Sequence, residues 1–364
     1  MHSMTRAVDV GKTRSAKRTD FRFIDLFAGI GGVRQAFEQQ DGRCVFTSEW
    51  DKFAQVTYRA KFPSDDHELV GDIRQVPRED IPEHEVLLAG FTCQPFSLAS
   101  VSKKNSLGQA HGSADPTQGT FFHEIKSTLE YWEPDAFMLE NVKHLLNDDG
   151  GRTFDVVHSA LVDLGYDVHY KVIDAAHFFP QHRERIIIVG FKRQTDFTWD
   201  DLCLPAATKQ MEDVLHRTDG REPMVENDGN RFSDHDSNLV QPKYTLSERF
   251  WTYLQGYVEK LRKSGNGFGY GLMGHQSVSR TLSARYRKDG SEILVQQEGS
   301  VPRRLTPREC ARLIAFPDSF VIPVSDVQPC RQFGNSVVFP AAADVARIMV
   351  PQRSCSTLAL RIGA

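Results

Sequence analysis

The chain lacks any apolar run approaching the roughly 20 residues that a membrane-spanning helix needs. Its first residues also lack the apolar core of a signal peptide, so neither membrane insertion nor export is expected. Cysteine is sparse. The six, at 44, 93, 203, 310, 330 and 355, include no CxxC pair. That spacing argues against a zinc site, and no metal is expected. Scattered thiols in a chain without a signal suggest a reducing cytosol. Strong charge of one sign is missing too: the net charge is −4, which excludes a uniformly basic nucleic-acid coat. A local basic face remains open. Arg280, Arg285, Arg287 and Lys288 form one cluster and Arg303, Arg304, Arg308 and Arg312 another, each readable as a DNA-facing patch or as solvated surface.

What is present is the composition of a globular α/β enzyme, 40% hydrophobic and 25% charged. The organising stretch is Gly90-Phe91-Thr92-Cys93-Gln94-Pro95-Phe96-Ser97. It follows Glu85 to Ala89, an apolar run with the length of a buried parallel strand. Open α/β sheets put their ligands beyond the carboxyl ends of the strands. Cys93 stands at such an address, and on residues alone it reads either as a nucleophile or as a buried structural thiol.

The same logic runs along the chain. Residues 1–20 are polar and basic and read as a disordered arm. Phe21 to Leu26 predicts a first strand, followed by Phe27-Ala28-Gly29-Ile30-Gly31-Gly32 and a helix from Val33. A strand, a glycine-rich turn and a helix open a nucleotide-binding unit, where backbone can approach a ligand and unpaired N–H groups face it. Val45 to Ser48 predicts a second strand, ending in Glu49-Trp50. An acidic residue about 20 positions after the turn suits ribose hydroxyls. Trp50 suits stacking on a base or, equally, a place in the core. Asp72 and Ile73 end a third short strand and suit the adenine edge. Residues 102–119 are polar and glycine-containing, either a lid or a surface excursion. Pro134 to Leu139 predicts another buried strand, ending at Glu140, whose carboxyl can converge with Cys93. Gln181-His182-Arg183-Glu184-Arg185 leads an apolar strand, and charges there need partners or substrate. Texture changes near residue 192. Thr306, Pro307 and Glu309 predict a helix start with a capping box.

Taken in order, these stretches resemble the cytosine-C5 DNA methyltransferases from about Phe23 to Met349. Within that family the chain most resembles the Dcm/EcoRII-like branch. The resemblance rests on Val101 to Gly108, on the glycine-rich segment 265–271 and on Thr281-Leu282-Ser283-Ala284-Arg285-Tyr286. It implies an α/β fold: a Rossmann-like, doubly wound sheet that binds S-adenosyl-L-methionine, formed by 21–192 plus 325–364, with a smaller, irregular target-recognition domain over 193–324. It implies cofactor contacts at Phe27, Ala28, Gly29, Gly31, Gly32, Glu49, Trp50, Asp72, Ile73, Gly90, Asn335 and Ser336. Catalytic roles fall to Cys93, Glu140, Arg183 and Arg185, and DNA contacts to Gln94, Ser97, Ser102, Lys103, Lys104, Arg280, Thr281 and Arg285.

The implied activity is methylation of C5 of a flipped cytosine in double-stranded DNA at a CCWGG-like site, in a bacterial restriction-modification or orphan system. S-adenosyl-L-homocysteine would be the product. A cognate restriction endonuclease or a mismatch-repair endonuclease would be the partner. The protein would be a cytoplasmic, nucleoid-associated monomer with no membrane contact. An RNA cytosine methyltransferase and a low-activity DNA-binding regulator are the alternatives. One departure matters: the family normally has proline before the nucleophile, and this chain has Thr92. Proline fixes φ, so threonine is expected to loosen the loop and slow turnover.

Overall fold

The computed structural model describes residues 21–91, 121–234, 236–265 and 269–354. The basic arm, the nucleophile loop with Thr92, Cys93, Gln94 and Ser97, and the 102–119 segment with Ser102, Lys103 and Lys104 lie outside the described residues.

Seven strands form the main sheet: β1 (Phe21–Leu26), β2 (Gly42–Ser48), β3 (Leu69–Val70), β4 (Val86–Gly90), β5 (Ala136–Val142), β6 (Asp167–Asp174) and β7 (Glu184–Phe191). Their order is β3-β2-β1-β4-β5-β7-β6. The first five run parallel, and β7 is antiparallel to both β5 and β6. Chain direction across the sheet reverses between β1 and β4, the switch point where such sheets bind ligands.

The apolar runs of the central strands split by residue parity, as successive side chains alternate faces. Val86, Leu88, Ala136, Met138, Ile187 and Val189 join the core on one face. It is covered by α1 (Gly32–Glu38) and the C-terminal helix α8 (Phe339–Met349). Leu87, Ala89, Phe137, Leu139, Ile186 and Ile188 join the core on the other. That face is covered by α3 (Phe121–Trp132) and α4 (Arg152–Asp163). Helix α2 (Lys52–Lys61) is capped by Asp51, which accepts from the Phe53 and Ala54 N–H groups. The chain stays on the sheet beyond 192: Phe197 belongs to the first core, with Trp199, Leu202 and Leu204 packed against it.

The smaller lobe has little regular structure. It holds α5 (Glu248–Lys263), short strands β8 (Leu272–Met273), β9 (Leu294–Val295) and β10 (Arg303–Arg304), and α6 (Pro307–Arg312). The predicted capping box is present: Thr306 accepts from the Glu309 N–H, and the Glu309 carboxylate accepts from the Thr306 N–H. Helix α7 (Val327–Asn335) leads back to the main sheet. One apolar cluster joins the lobes, running from Ile30 and Ala54 through Leu282 and Ile314 to Phe333.

Three of the four arginines in the second basic cluster are turned inward, Arg304 being the partly exposed one. Arg308 has no exposed surface; Nε and Nη2 donate to the Asp228 carboxylate at 2.7 Å each, and Nη2 also reaches the Phe320 carbonyl. Arg303 is buried on Glu309, and Arg312 pairs with Glu222 and Asp318. Removing one partner of such a buried pair strands the other charge. Arg308→Ala is therefore expected to lower folding stability by about 3–5 kcal/mol. Denaturant unfolding measures this, and adding Asp228→Asn should recover part of the loss.

Candidate active site

A cavity of about 520 Å³ opens at the switch point, at the carboxyl ends of β1, β4 and β5. Its floor is the glycine turn. Phe27, Gly29 and Gly31 all take positive φ, at 58°, 57° and 72°. The turn is held by the Ala28 N–H on the Ser48 carbonyl and the Gly31 N–H on the Ala28 carbonyl. A side chain on Gly29 would meet nothing within 4 Å, so this glycine faces the open cavity. Gly31 has a different reason: a Cβ there would overlap the Phe62 ring. It permits close packing of the turn on α2 and does not line the cavity.

Glu49, beyond β2, is 8% exposed. Its Oε2 accepts the Gly29 N–H at 2.8 Å and its Oε1 the Asp51 N–H at 2.7 Å. The carboxylate thus stitches the ends of β1 and β2 together while facing the cavity, and burial raises its pKa. Trp50 is 59% exposed and is not a core residue. Its ring lies edge-on to Phe121 at 6.0 Å, and Phe121 packs on Phe27 at 4.7 Å, an aromatic lip of the cavity. Asp72 and Ile73 do not line it: the Asp72 carboxylate caps a short turn and pairs with Arg74, and the Ile73 side chain is in the core.

Glu140 lies near the carboxyl end of β5, beside Gly90, its register partner on β4. It is 8% exposed, and its Oε1 accepts from Arg185 Nε at 2.9 Å. A Cβ on Gly90 would sit 3.6 Å from the other oxygen, so glycine there leaves that oxygen room. Burial pushes the Glu140 carboxyl up, against the pull of Arg185 and then Arg183. Arg183 does not face the cavity as expected. Its Nη1 donates to the Leu282 carbonyl at 2.8 Å and its Nη2 to the Gly334 and Ser336 carbonyls at 2.8 and 2.7 Å. Those three bonds engage both Nη atoms with backbone carbonyls. Asn335, Ser336 and Thr281 do line the cavity; Arg280 and Arg285 are exposed beside it in sequence and do not.

Among the lining residues not expected from the sequence, Asp25 and Gln332 stand out. Asp25 is 2% exposed, and its Oδ2 finds no hydrogen-bond partner among the described residues. Burial pushes its pKa up to about 7, against Arg34 and Lys61. The available signal was a lone acid inside an apolar strand. Gln332, three residues before Asn335, also lines the cavity and is buried. It accepts from the Thr57 hydroxyl at 3.0 Å, and its buried amide nitrogen has no partner among the described residues.

Known proteins share this architecture and sequence. A family profile described as C-5 cytosine-specific DNA methylase matches residues 21–350. The DNA-cytosine methyltransferase of Escherichia coli (strain K12) is 46% identical over 388 aligned positions, covering 91% of this chain and 78% of that protein. The type II methyltransferase M.NlaX of Neisseria lactamica is 44% identical over 333, covering 90% and 96%. The solved Entamoeba histolytica methyltransferase EhMeth aligns with a TM-score of 0.67 at 16% identity, over 91% of this chain and 98% of that one, a likeness of fold. On the profile match and these identities, the chain belongs to the C-5 cytosine-specific DNA methylase family and is a DNA cytosine-C5 methyltransferase.

Proposed function

We propose that the protein rotates one cytosine out of duplex DNA and methylates its C5 with S-adenosylmethionine as donor. The proposed target is the inner cytosine of a CCWGG-like site, on the resemblance carried by 265–271 and 281–286. The observation supporting the chemistry is that the glycine turn, the Glu49-Trp50 pair and the Glu140–Arg185 pair open onto one cavity.

The residues fit the donor. Asp25 offers a buried, unpartnered carboxyl oxygen to a cationic group, and Gly29 leaves the space a Cβ would fill. Glu49 keeps lone pairs for hydroxyls, and Trp50 offers an exposed ring face. When bound, S-adenosylmethionine supplies an electrophilic methyl group.

A C5 atom inside a base stack is out of reach, and unstacking costs a few kcal/mol. Cys93 acts as thiolate, since the thiol is a poor nucleophile. Its Sγ bonds to C6 and makes C5 nucleophilic. Glu140 protonated donates from one oxygen to ring N3, and its other oxygen accepts from the exocyclic amine. Its raised pKa suits that role. Arg185 holds the carboxyl in place through Oε1. Loss of the C5 proton to water and cleavage of the S–C6 bond return the free thiolate.

Incubation with a 5-fluorocytosine duplex and cofactor should trap a covalent complex that Cys93→Ser cannot form; a complex with the serine variant would reassign the nucleophile. Methyl transfer to tRNA and not to DNA would overturn the substrate. Glu140→Gln should lower kcat by about 10²–10⁴-fold while S-adenosylhomocysteine still binds. Asp25 predicts a proton effect. With a pKa near 7 it is part-protonated at neutral pH, and a cation beside it lowers that pKa. Cofactor binding at pH 7 should then release protons, seen calorimetrically as heats that vary with buffer ionisation enthalpy. Asp25→Asn should abolish the release; equal heats in all buffers would place the cation elsewhere.

A further inference from the structure

Arg183 is 1% exposed, yet it touches neither the cavity nor Glu140 by hydrogen bond. Its guanidinium reaches two chain segments more than fifty residues apart in sequence. One is the Leu282 carbonyl, between Thr281 and Ser283, which both line the cavity mouth. The other is the Gly334 and Ser336 pair of carbonyls, in the cavity wall. Its own backbone is fixed: the N–H donates to Asp174 Oδ1 at 2.8 Å, and the carbonyl accepts from the Ala175 N–H. We propose that Arg183 is a positioning residue that couples cofactor binding to target-DNA binding, by holding the 281–283 segment and the 334–336 wall to one guanidinium. This rests on the function proposed above.

The two segments also touch directly. A Cβ on Gly334 would overlap the Ser283 carbonyl carbon and the Ala284 nitrogen. Gln181 reinforces the recognition side, accepting the Leu282 N–H at 2.7 Å, while Thr281 donates to the His182 carbonyl at 2.7 Å. Moving one segment alone would leave an N–H of a buried cation without its acceptor, and buried charge tolerates that poorly. Nε already lacks a partner among the described residues. A ligand that orders the wall therefore orders the recognition segment, and the reverse, because coupling free energy is reciprocal. The planar fork is what spans three carbonyls; a lysine keeps the charge but not the geometry.

The test is a binding cycle without turnover. The affinity of S-adenosylhomocysteine is measured with and without target duplex, and that of the duplex with and without S-adenosylhomocysteine. Wild type should show the same enhancement in both directions, on the order of tenfold. In Arg183→Lys the enhancement should fall to near one, while each ligand alone still binds as in wild type. A purely structural role predicts weaker binding of both ligands, or lower stability, with the enhancement intact; that result overturns the proposal. So does a wild type with no enhancement. If Arg183→Lys does not fold, hydrogen exchange on wild type decides. S-adenosylhomocysteine alone should slow exchange at 279–284, and no protection there overturns the coupling. Failure of wild type to bind either ligand singly would remove the proposed function and this inference with it. Normal single binding without coupling removes only the inference.

Discussion

A carboxyl group that must hold a proton inside a protein tolerates one hydrogen-bonded cation far better than two. On the mechanism proposed above, Glu140 is in that position. Burial raises its pKa, and one arginine, Arg185, bonds one of its oxygens. Arg183, two residues earlier on the approach to β7, also lowers that pKa through space. Its hydrogen bonds go elsewhere, to Leu282, Gly334 and Ser336. The arrangement separates two tasks between arginines that look equivalent in sequence. Burial and its neighbour Arg185 lower the Arg183 pKa to about 9, with Glu140 opposing, so it remains a cation at neutral pH. Three carbonyl oxygens hold that buried cation in place.

The sheet was largely legible because its strands are buried on both faces, and that forces long apolar runs with sharp ends. The glycine turn, the acid after β2 and the acid near the end of β5 were legible for the same reason: each follows an apolar run that reads as a strand. The reasons for individual residues were less legible. Gly31 reads as a ligand-facing glycine, yet its lack of a side chain is required by Phe62, thirty-one residues on. Trp50 reads equally as core or as stacking platform, and only the fold leaves it 59% exposed. Arg308 and Arg312 of the second basic cluster were ambiguous because each has a remote partner. Asp228 is 80 residues from Arg308, and Glu222 is 90 from Arg312. No local pattern announces such pairs.

The fate of those arginines bears on how a chain of net charge −4 handles a polyanion. Arg303, Arg308 and Arg312 neutralise carboxylates inside the smaller lobe and supply little outward field. Arg280, Arg285 and Lys288 stay exposed, in the stretch where Thr281, Ser283 and Ala284 line the cavity. Exposed positive charge thus stands beside these cavity-lining residues, and also elsewhere on the lobe at Arg217, Arg249, Lys260 and Lys263. On the function proposed above, the cations beside the cavity are the ones placed to orient a phosphate backbone.

The two lobes are more than neighbours across a cleft. Ile30 from the glycine turn and Ala54 from α2 share one apolar cluster with Leu282, Cys330 and Phe333. The backbone of the recognition segment lies against Gly334 closely enough to exclude a methyl group. Arg331 adds an ion pair to Asp51 at 2.6 Å, tying α7 to the start of α2. Apolar packing, backbone contact and ion pair all converge on the cavity wall from different directions. A well-packed interior shifts between discrete arrangements more readily than it deforms smoothly. The geometry around Glu140 and the glycine turn is therefore not a property of the sheet alone. It depends also on the 281–284 segment being docked, which makes the smaller lobe part of the cavity wall.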